Sequence, residues 1–504
     1  MSKLMVVFPS NNNQIKWFKL RWFIALALFL LLAGCAAVGP DYKEPEIATP
    51  DAWENTIIKE VDSGASLEQW WTIFNDPKLD SLLERAKQAN PDLRLAVERI
   101  DEARAFSRIA GSNRYPDLNA QASFDRTKVS ESLGGGLFAS NPSNTLSVGL
   151  ASSWEIDVFG RVRRTIEAAE ADVDASVEDY RDVMVSLYAQ VAIHYVNIRT
   201  LQQRIKYAQS NIKSQRETLD IVQFRFDAGL VPKFDVTQST YNLANTETLI
   251  PELIPILERS LNQIAILLGQ TPGSLDKELS QDAVIPAPTI DVAFAPPAEL
   301  LRQRPDIRQA EREVAAQSAR IGVATAALYP EFSLTGVLTL GASEFGDLAE
   351  SSSVGWSFVP GVRWNLFSGG KIEGLIDVEE SRTKQAIIRY EKTVLDALAE
   401  VETTMVSLNQ ERLRAEKLSE AVDASQESVE LVSTSYLAGL TDFQSLLDSQ
   451  RSLFNQQDRL VESQGQAVVN FINLNRAFGG GWSLDDPVLI NHAQAVATEN
   501  KKEN

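Results

Sequence analysis

Cysteine and histidine are nearly missing from this 504-residue chain, which has one Cys, Cys35, and two His, His194 and His492. A single thiol excludes an intrachain disulfide, and so few soft ligands exclude a Cys/His zinc site. Basic side chains are outnumbered, with 48 Lys and Arg against 68 Asp and Glu and a net charge of −20. Without a basic patch, a nucleic-acid backbone has nothing to bind. Four Met form no copper-binding stripe. Trp22 to Ala33 is an unbroken apolar run, but it falls short of the roughly 20 residues a membrane-spanning helix needs. No Ser/His/Asp set, carboxylate pair or metal cluster stands out, so we expect neither an enzyme nor a cofactor. Gly and Pro are absent from Arg161 to Ala228 and from Leu375 to Ala438. At about 1.5 Å per residue, helices of that extent are on the order of 100 Å long, a length for which a compact domain has no use.

The first residues carry Lys3, Lys16, Lys19 and Arg21 and no acid, and the apolar run that follows ends in Leu32-Ala33-Gly34-Cys35. A basic start, a short apolar run and small residues before a break form a secretory signal. Its ending resembles the bacterial lipobox, which implies cleavage after Gly34 and acylation of Cys35; the alternative is a plain signal with an incidental cysteine. Ala36, in place of Asp, implies sorting to the outer membrane. Cleavage removes four positive charges and no negative ones, so the mature chain is more acidic still.

The mature chain is a duplication. Asn90-Pro91-Asp92-Leu93-Arg94 returns as Arg304-Pro305-Asp306-Ile307-Arg308, Tyr115-Pro116 as Tyr329-Pro330, and Ala228-Gly229-Leu230 as Ala438-Gly439-Leu440. Each half reads as a helix, two strands, a very long helix, a tight turn and a returning helix. In the first long stretch Val177, Met184, Val191, Ile198, Ile205, Ile212 and Leu219 recur every seven residues. Tyr180, Leu187, His194, Leu201 and Ala208 follow three later, which makes an a/d seam. The second has Ile387, Val394, Val401, Leu408, Ala415, Val422 and Val429. A sustained seven-residue period predicts supercoiling against partner helices, and it makes His194 a packed seam residue.

Between the helices the period becomes two. Leu118, Ala120, Ala122 and Phe124 alternate with polar residues, as do Leu146, Val148, Leu150, Trp154, Ile156 and Val158. The second half repeats this with Phe332, Leu334, Leu338 and Leu340, then Val354, Trp356, Phe358, Val362, Trp364 and Leu366. One apolar and one polar face over about ten residues is the pattern of a membrane barrel strand. A half-buried soluble sheet alternates equally well, but aromatics near the strand ends suit a membrane interface, and no helix pattern is left over to cover the apolar face. Four strands fall short of the roughly eight needed for the smallest membrane barrel, so several chains must close it.

Val38-Gly39-Pro40-Asp41-Tyr42, Trp70-Trp71, Phe74-Asn75-Asp76-Pro77, Asn90-Pro91-Asp92-Leu93, Trp154 through Gly160, Arg304 through Arg308 and Trp364 through Gly370 follow one another in a telling order and spacing. With them the chain resembles the TolC-like outer-membrane factors, in particular the NodT-type lipoprotein branch of resistance-nodulation-division efflux systems. The resemblance implies an α+β membrane protein. Its duplicated long α-helical hairpins form a periplasmic barrel, and four transmembrane β-strands per chain complete a trimeric 12-stranded β-barrel. The expected organisation is a signal at 1–34, a lipid anchor and equatorial segment at 35–77, repeats at 78–270 and 299–478, a linker at 271–298, and an equatorial segment with a polar tail at 479–504. Within the repeats the strands fall at 115–127, 144–158, 329–341 and 354–367, the long helices at 161–228 and 371–438, and the return helices at 232–268 and 442–478.

As the resemblance implies, the chain is a passive duct carrying small molecules or metal ions outward. It works as a homotrimer with a periplasmic adaptor and an inner-membrane resistance-nodulation-division transporter, and it is anchored in outer-membrane lipid. The adaptor docks on the tips, Gly229, Leu230, Gly439 and Leu440, residues that also serve as plain helix stops. A periplasmic gate falls at Asp448, with Asp442 and Asp235 as further candidates; a solvated helix-face aspartate is the alternative. A type I protein-secretion duct and a periplasmic scaffold lipoprotein are the competing readings.

Overall fold

The structure is a computed structural model that describes residues 37–54, 67–128, 142–281, 283–288, 303–486 and 489. Cys35, His492, residues 129–141 of the first strand-joining loop, residues 289–298 of the linker and residues 299–302 of the second repeat lie outside the described residues. The helices are α1 (Pro77–Ala89), α2 (Pro91–Ser112), α3 (Arg161–Asp227), α4 (Lys233–Glu247), α5 (Leu249–Leu267), α6 (Asp276–Leu279), α7 (Pro305–Ala326), α8 (Lys371–Leu437) and α9 (Phe443–Ala477). The strands are β1 (Asp117–Thr127), β2 (Ser143–Ile156), β3 (Glu331–Ala342) and β4 (Val354–Arg363). The chain divides into two compact units. One comprises Met1–Pro45, Asp101–Asp174 and Glu311–Ile388; the other comprises Glu46–Ile100, Ala175–Ala310 and Arg389–Asn504.

The first unit holds an antiparallel sheet in the order β1-β2-β3-β4. Its register brings the alternating residues of all four strands onto common faces. Phe124 lies opposite Leu146, Val148 opposite Leu340, Leu150 opposite Leu338, Leu338 opposite Trp356 and Phe332 opposite Val362. A slip of one residue in any strand would have mixed the faces. The other face carries Asn119, Gln121, Ser123, Ser147, Ser153, Thr335, Thr339 and Ser357, with only Ala151, Val337 and Val359 apolar among them. Leu118, Phe124, Trp356, Phe358 and Val362 are all exposed, so nothing among the described residues covers the apolar side.

The strand expected at 354–367 stops at Arg363. Its only partner among the described strands is β3, and that ladder begins at the pair Glu331 and Arg363, directly after Pro330, which has no N–H to give. Trp364 and Leu366 therefore lie beyond the sheet.

In the same unit, residues 37–42 are strapped onto the start of α3. Val38 N–H donates to the Phe159 carbonyl at 3.0 Å. The buried Arg164 donates to the carbonyls of Val38 and Gly39 and, at 2.7 Å, to Asp41. Gly39 has φ +92, and a Cβ there would lie 2.4 Å from the Gly322 Cα, so only glycine permits this approach. Tyr42 donates to Glu311 and lies beneath the Arg312 guanidinium.

The second unit contains the main core. Trp70, Phe74, Leu79, Leu82, Tyr180, Met184, Tyr195, Ile264, Phe471 and Phe478 are buried together. Phe74-Asn75-Asp76-Pro77 acts here as a helix start. Asn75 takes φ 48, Asp76 caps the Lys78 and Leu79 N–H groups, and Pro77 occupies the first helical position, where no N–H is required. Tyr195 fixes the cap by donating to Asp76 at 2.6 Å.

The first seam keeps its seven-residue period at both positions along the middle of the helix, where Met184, Val191 and Ile198 are buried. Tyr180, Leu187, Leu201, Ala208, Gln215 and Val222 are buried and His194 is half-buried, whereas Ile205, Ile212 and Leu219 are half-exposed. The second keeps the expected heptad at the buried Val394, Val401 and Leu408, while Ile387, Ala415, Val422 and Val429 are half-buried. Tyr390, Val394, Ala397, Val401, Met405 and Leu408 are buried at steps of four and three that recur every eleven residues, a period slightly longer than one helical turn allows.

The two return helices, with interruptions expected at Pro251, Pro255 and Gly465, meet that expectation at Pro251 alone. The first breaks at Thr248 because Pro251 cannot donate to the Glu247 carbonyl and its ring crowds that turn. The second runs unbroken through Gly465, where a Cβ would stand 2.2 Å from the Thr200 hydroxyl; glycine here permits helix contact and does not interrupt the helix.

Candidate functional site

Both long helices end alike. At the first tip Gly229 N–H donates to Phe226 and Leu230 N–H to Arg225, each at 2.8 Å; at the second Gly439 donates to Tyr436 at 3.0 Å and Leu440 to Ser435 at 2.9 Å. Both glycines have φ +74, completing a Schellman stop that uses otherwise orphaned carbonyls. No heavy atom lies within 4 Å of a Cβ built on either glycine, and Leu230 and Leu440 are exposed. The four tip residues thus form two open corners of similar backbone.

Their flanks differ. After the second tip Asp442 caps α9, accepting from the Ser445 N–H at 2.8 Å and its hydroxyl at 2.6 Å; those donors hold its carboxyl below the usual carboxylate range. The corresponding N-cap of α4 is Pro232, which has no side-chain cap. Asp235 is close enough to Asp442 to feel its charge, and burial followed by that charge raises its pKa.

Asp448 stands apart from that pair, in a polar ladder between α4 and α9. Gln238 donates to Gln444 at 2.7 Å, Gln444 donates to Asp448 at 2.9 Å, Arg451 approaches Asp448 at 3.9 Å, and Arg451 also donates to Asn242. One copy of the chain therefore brings Asp235 and Asp442 together and leaves Asp448 exposed with its own partners. Behind the ladder Val222, Tyr436, Phe443, Leu446 and Leu447 pack together. Arg225 donates to the Tyr436 carbonyl at 2.9 Å and covers its ring at 4.7 Å, a contact sequence reasoning missed. Its only sequence signal was a cation in the last turn of a helix.

A second charged centre went unread. Arg304 donates to Asp306, to Glu400 at 2.9 Å and to the Ala477 carbonyl, and Arg476 donates to Glu400 at 2.9 Å. Asp182 faces this cluster across a cavity of about 140 Å³, and burial together with Asp306 pushes its pKa up to about 6. Among the described residues no group of three His, Cys, Asp or Glu is placed to hold a metal ion, and no helix is long and apolar enough to cross a membrane.

With this geometry in view, the chain was compared with known proteins. Residues 82–270 and 297–480 match the family described as outer membrane efflux protein. Nodulation protein T of Rhizobium leguminosarum bv. trifolii is 34% identical over 90% of this chain and 96% of its own length. The solvent efflux pump outer membrane protein SrpC of Pseudomonas putida is 30% identical over 92% and 99%. Among solved structures, the outer-membrane channel OprN superposes with a TM-score of 0.83 at 34% identity, covering 89% of this chain and all of that one. The open-state MtrE channel of Neisseria gonorrhoeae gives 0.77 at 27%, covering 88% and 98%.

Proposed function

The chain belongs to the outer membrane efflux protein family, and from that premise we propose that it forms a passive trimeric duct completing a tripartite efflux pump. It is an outer-membrane efflux channel and does no covalent chemistry of its own. The observation that carries the duct reading is the two-faced sheet. Its apolar face is exposed, its polar face is continuous, and β1 and β4 each have one unpaired edge among the described strands. Open edges are not tolerated in lipid, so the β4 edge of one copy pairs with the β1 edge of the next until the ring closes. Three copies give 12 strands, with the apolar faces in lipid and the polar faces around water.

The two tips dock a periplasmic adaptor, which links the duct to an inner-membrane resistance-nodulation-division transporter. The exposed Leu230 and Leu440 supply apolar contact, and the Schellman backbone supplies a rigid corner. Asp448 is the gate residue around the threefold axis, because it is an exposed carboxylate that its own chain does not bury. Asp442 is occupied as a cap and Asp235 is partnered with it. Acylated Cys35 anchors the chain to the membrane beside the strap at residues 37–42. The native mass of the detergent-extracted protein tests the assembly: three copies are expected, and a stable monomer would refute it. Asp448→Ala is expected to raise the conductance of the duct, and an unchanged conductance would remove Asp448 from the gate.

A further inference from the structure

Charge on the polar face of the sheet is not spread evenly. Its central rungs hold Asn119, Ala151, Val337 and Ser357, then Gln121, Gly149, Thr339 and Gly355, all uncharged. The far end has Asp125 alone, which accepts from the Ser123 hydroxyl at 3.0 Å. At the end where the strands pass into helices, Glu155 lies opposite Ser333, and Glu331 lies opposite Arg363, with Arg161 at the start of α3. Arg161 donates to Glu155, and Arg363 donates to Glu331 at 2.7 Å. Each arginine also senses the other's carboxylate, so the four form one alternating cluster. The cluster borders a cavity of about 530 Å³ that Lys371 also lines.

We infer that Glu155, Arg161, Glu331 and Arg363 form a charge-balanced collar that sets the ion selectivity of the passage along the sheet's polar face. The inference rests on the reading of that face as the wall of a water-filled duct. An ion moving along neutral, small side chains feels little preference. At the collar it meets two carboxylates and two guanidiniums, the kind of charged ring that decides selectivity in other pores. Because the collar is balanced, the intact protein discriminates weakly between cations and anions. Removing one member of a pair leaves its partner's charge facing the passage, so the sign of the selectivity follows the member removed.

The test is the reversal potential of the full-length protein in planar bilayers under a potassium chloride gradient. Glu331→Gln is expected to lower the cation-to-anion permeability ratio, and Arg363→Gln to raise it, each by at least about two-fold through the local field. Ser357→Ala, on a neutral rung, is the control and leaves the ratio unchanged. Ratios that do not move, or that move in the same direction in both variants, would overturn the collar. A ratio that responds to Asp448→Asn but to neither collar variant would place selectivity at the tips and overturn it as well. A wild-type protein with no conductance would overturn the duct reading, and the collar with it.

Discussion

Trp154 in the first half and Trp364 in the second make the same bond. Each indole N–H donates to the carbonyl just before a Tyr-Pro pair, Arg114 at 3.1 Å and Leu328 at 3.0 Å. Asn90 and Arg304 stand at equally matched positions and do different work. Asn90 caps α2 through the Leu93 N–H and donates to the Leu267 carbonyl, whereas Arg304 ties Asp306, Glu400 and the end of α9 together. Pro251 breaks the first return helix where the second has the buried Val461. Arg164 holds the strap, while its counterpart Gly374 meets nothing. The repeats share backbone stops and turns but differ in what their side chains bind, as expected when two copies must fit different neighbours in one asymmetric chain.

The comparison breaks most severely if the second return helix is given the first one's proline. Val461→Pro removes a backbone bond inside α9 and a buried side chain, so a loss of roughly 3 kcal/mol or more is expected, seen as absence of folded protein in a thermal melt. Pro251→Val, its mirror, should leave the fold intact and join α4 to α5. If Val461→Pro folds normally, the break at Thr248 has another cause.

Exchanging the two motif heads comes next. Arg304→Ala leaves Asp306, Glu400 and Asp182 facing one another with a single arginine, at a cost of about 3 kcal/mol. Asn90→Ala removes a cap and should cost about 1 to 2 kcal/mol. Equal costs in denaturant titration would show that the two positions had not diverged in role.

Asp182 belongs only to the second centre and gives it a pH signature. Its pKa is raised from 3.8 to about 6, so the ionised form weakens the fold, and that penalty is present above about pH 6 and absent below the unfolded value. Asp182→Asn is therefore expected to stabilise the protein by about 1 to 2 kcal/mol near pH 7.5. The gain shrinks as pH falls through 6 and vanishes below about pH 4; a gain that persists there would contradict the assignment. The smallest effect belongs to the tips: Asp442→Ala should speed amide exchange at Ser445, while no cap exists to lose beside Pro232.

Much of this plan was legible from residue order because it is local. Strand alternation fixed the faces, and Gly229 and Gly439 marked the stops. What escaped depends on partners far along the chain. Arg164 with Asp41 and Arg304 with Glu400 have no local periodicity to betray them. Asp442 was legible as a gate candidate, and its place three residues before Ser445 at a helix start also makes it a cap. In α8 the heptad residues Val394, Val401 and Leu408 share the buried stripe with Tyr390, Ala397 and Met405, which only burial shows.

The central claim is that these repeats end in a sheet that closes, copy to copy, around water. Single-channel recording of the purified full-length protein in planar bilayers tests it most directly. Discrete, stepwise conductance is predicted; protein that inserts yet never conducts would contradict it.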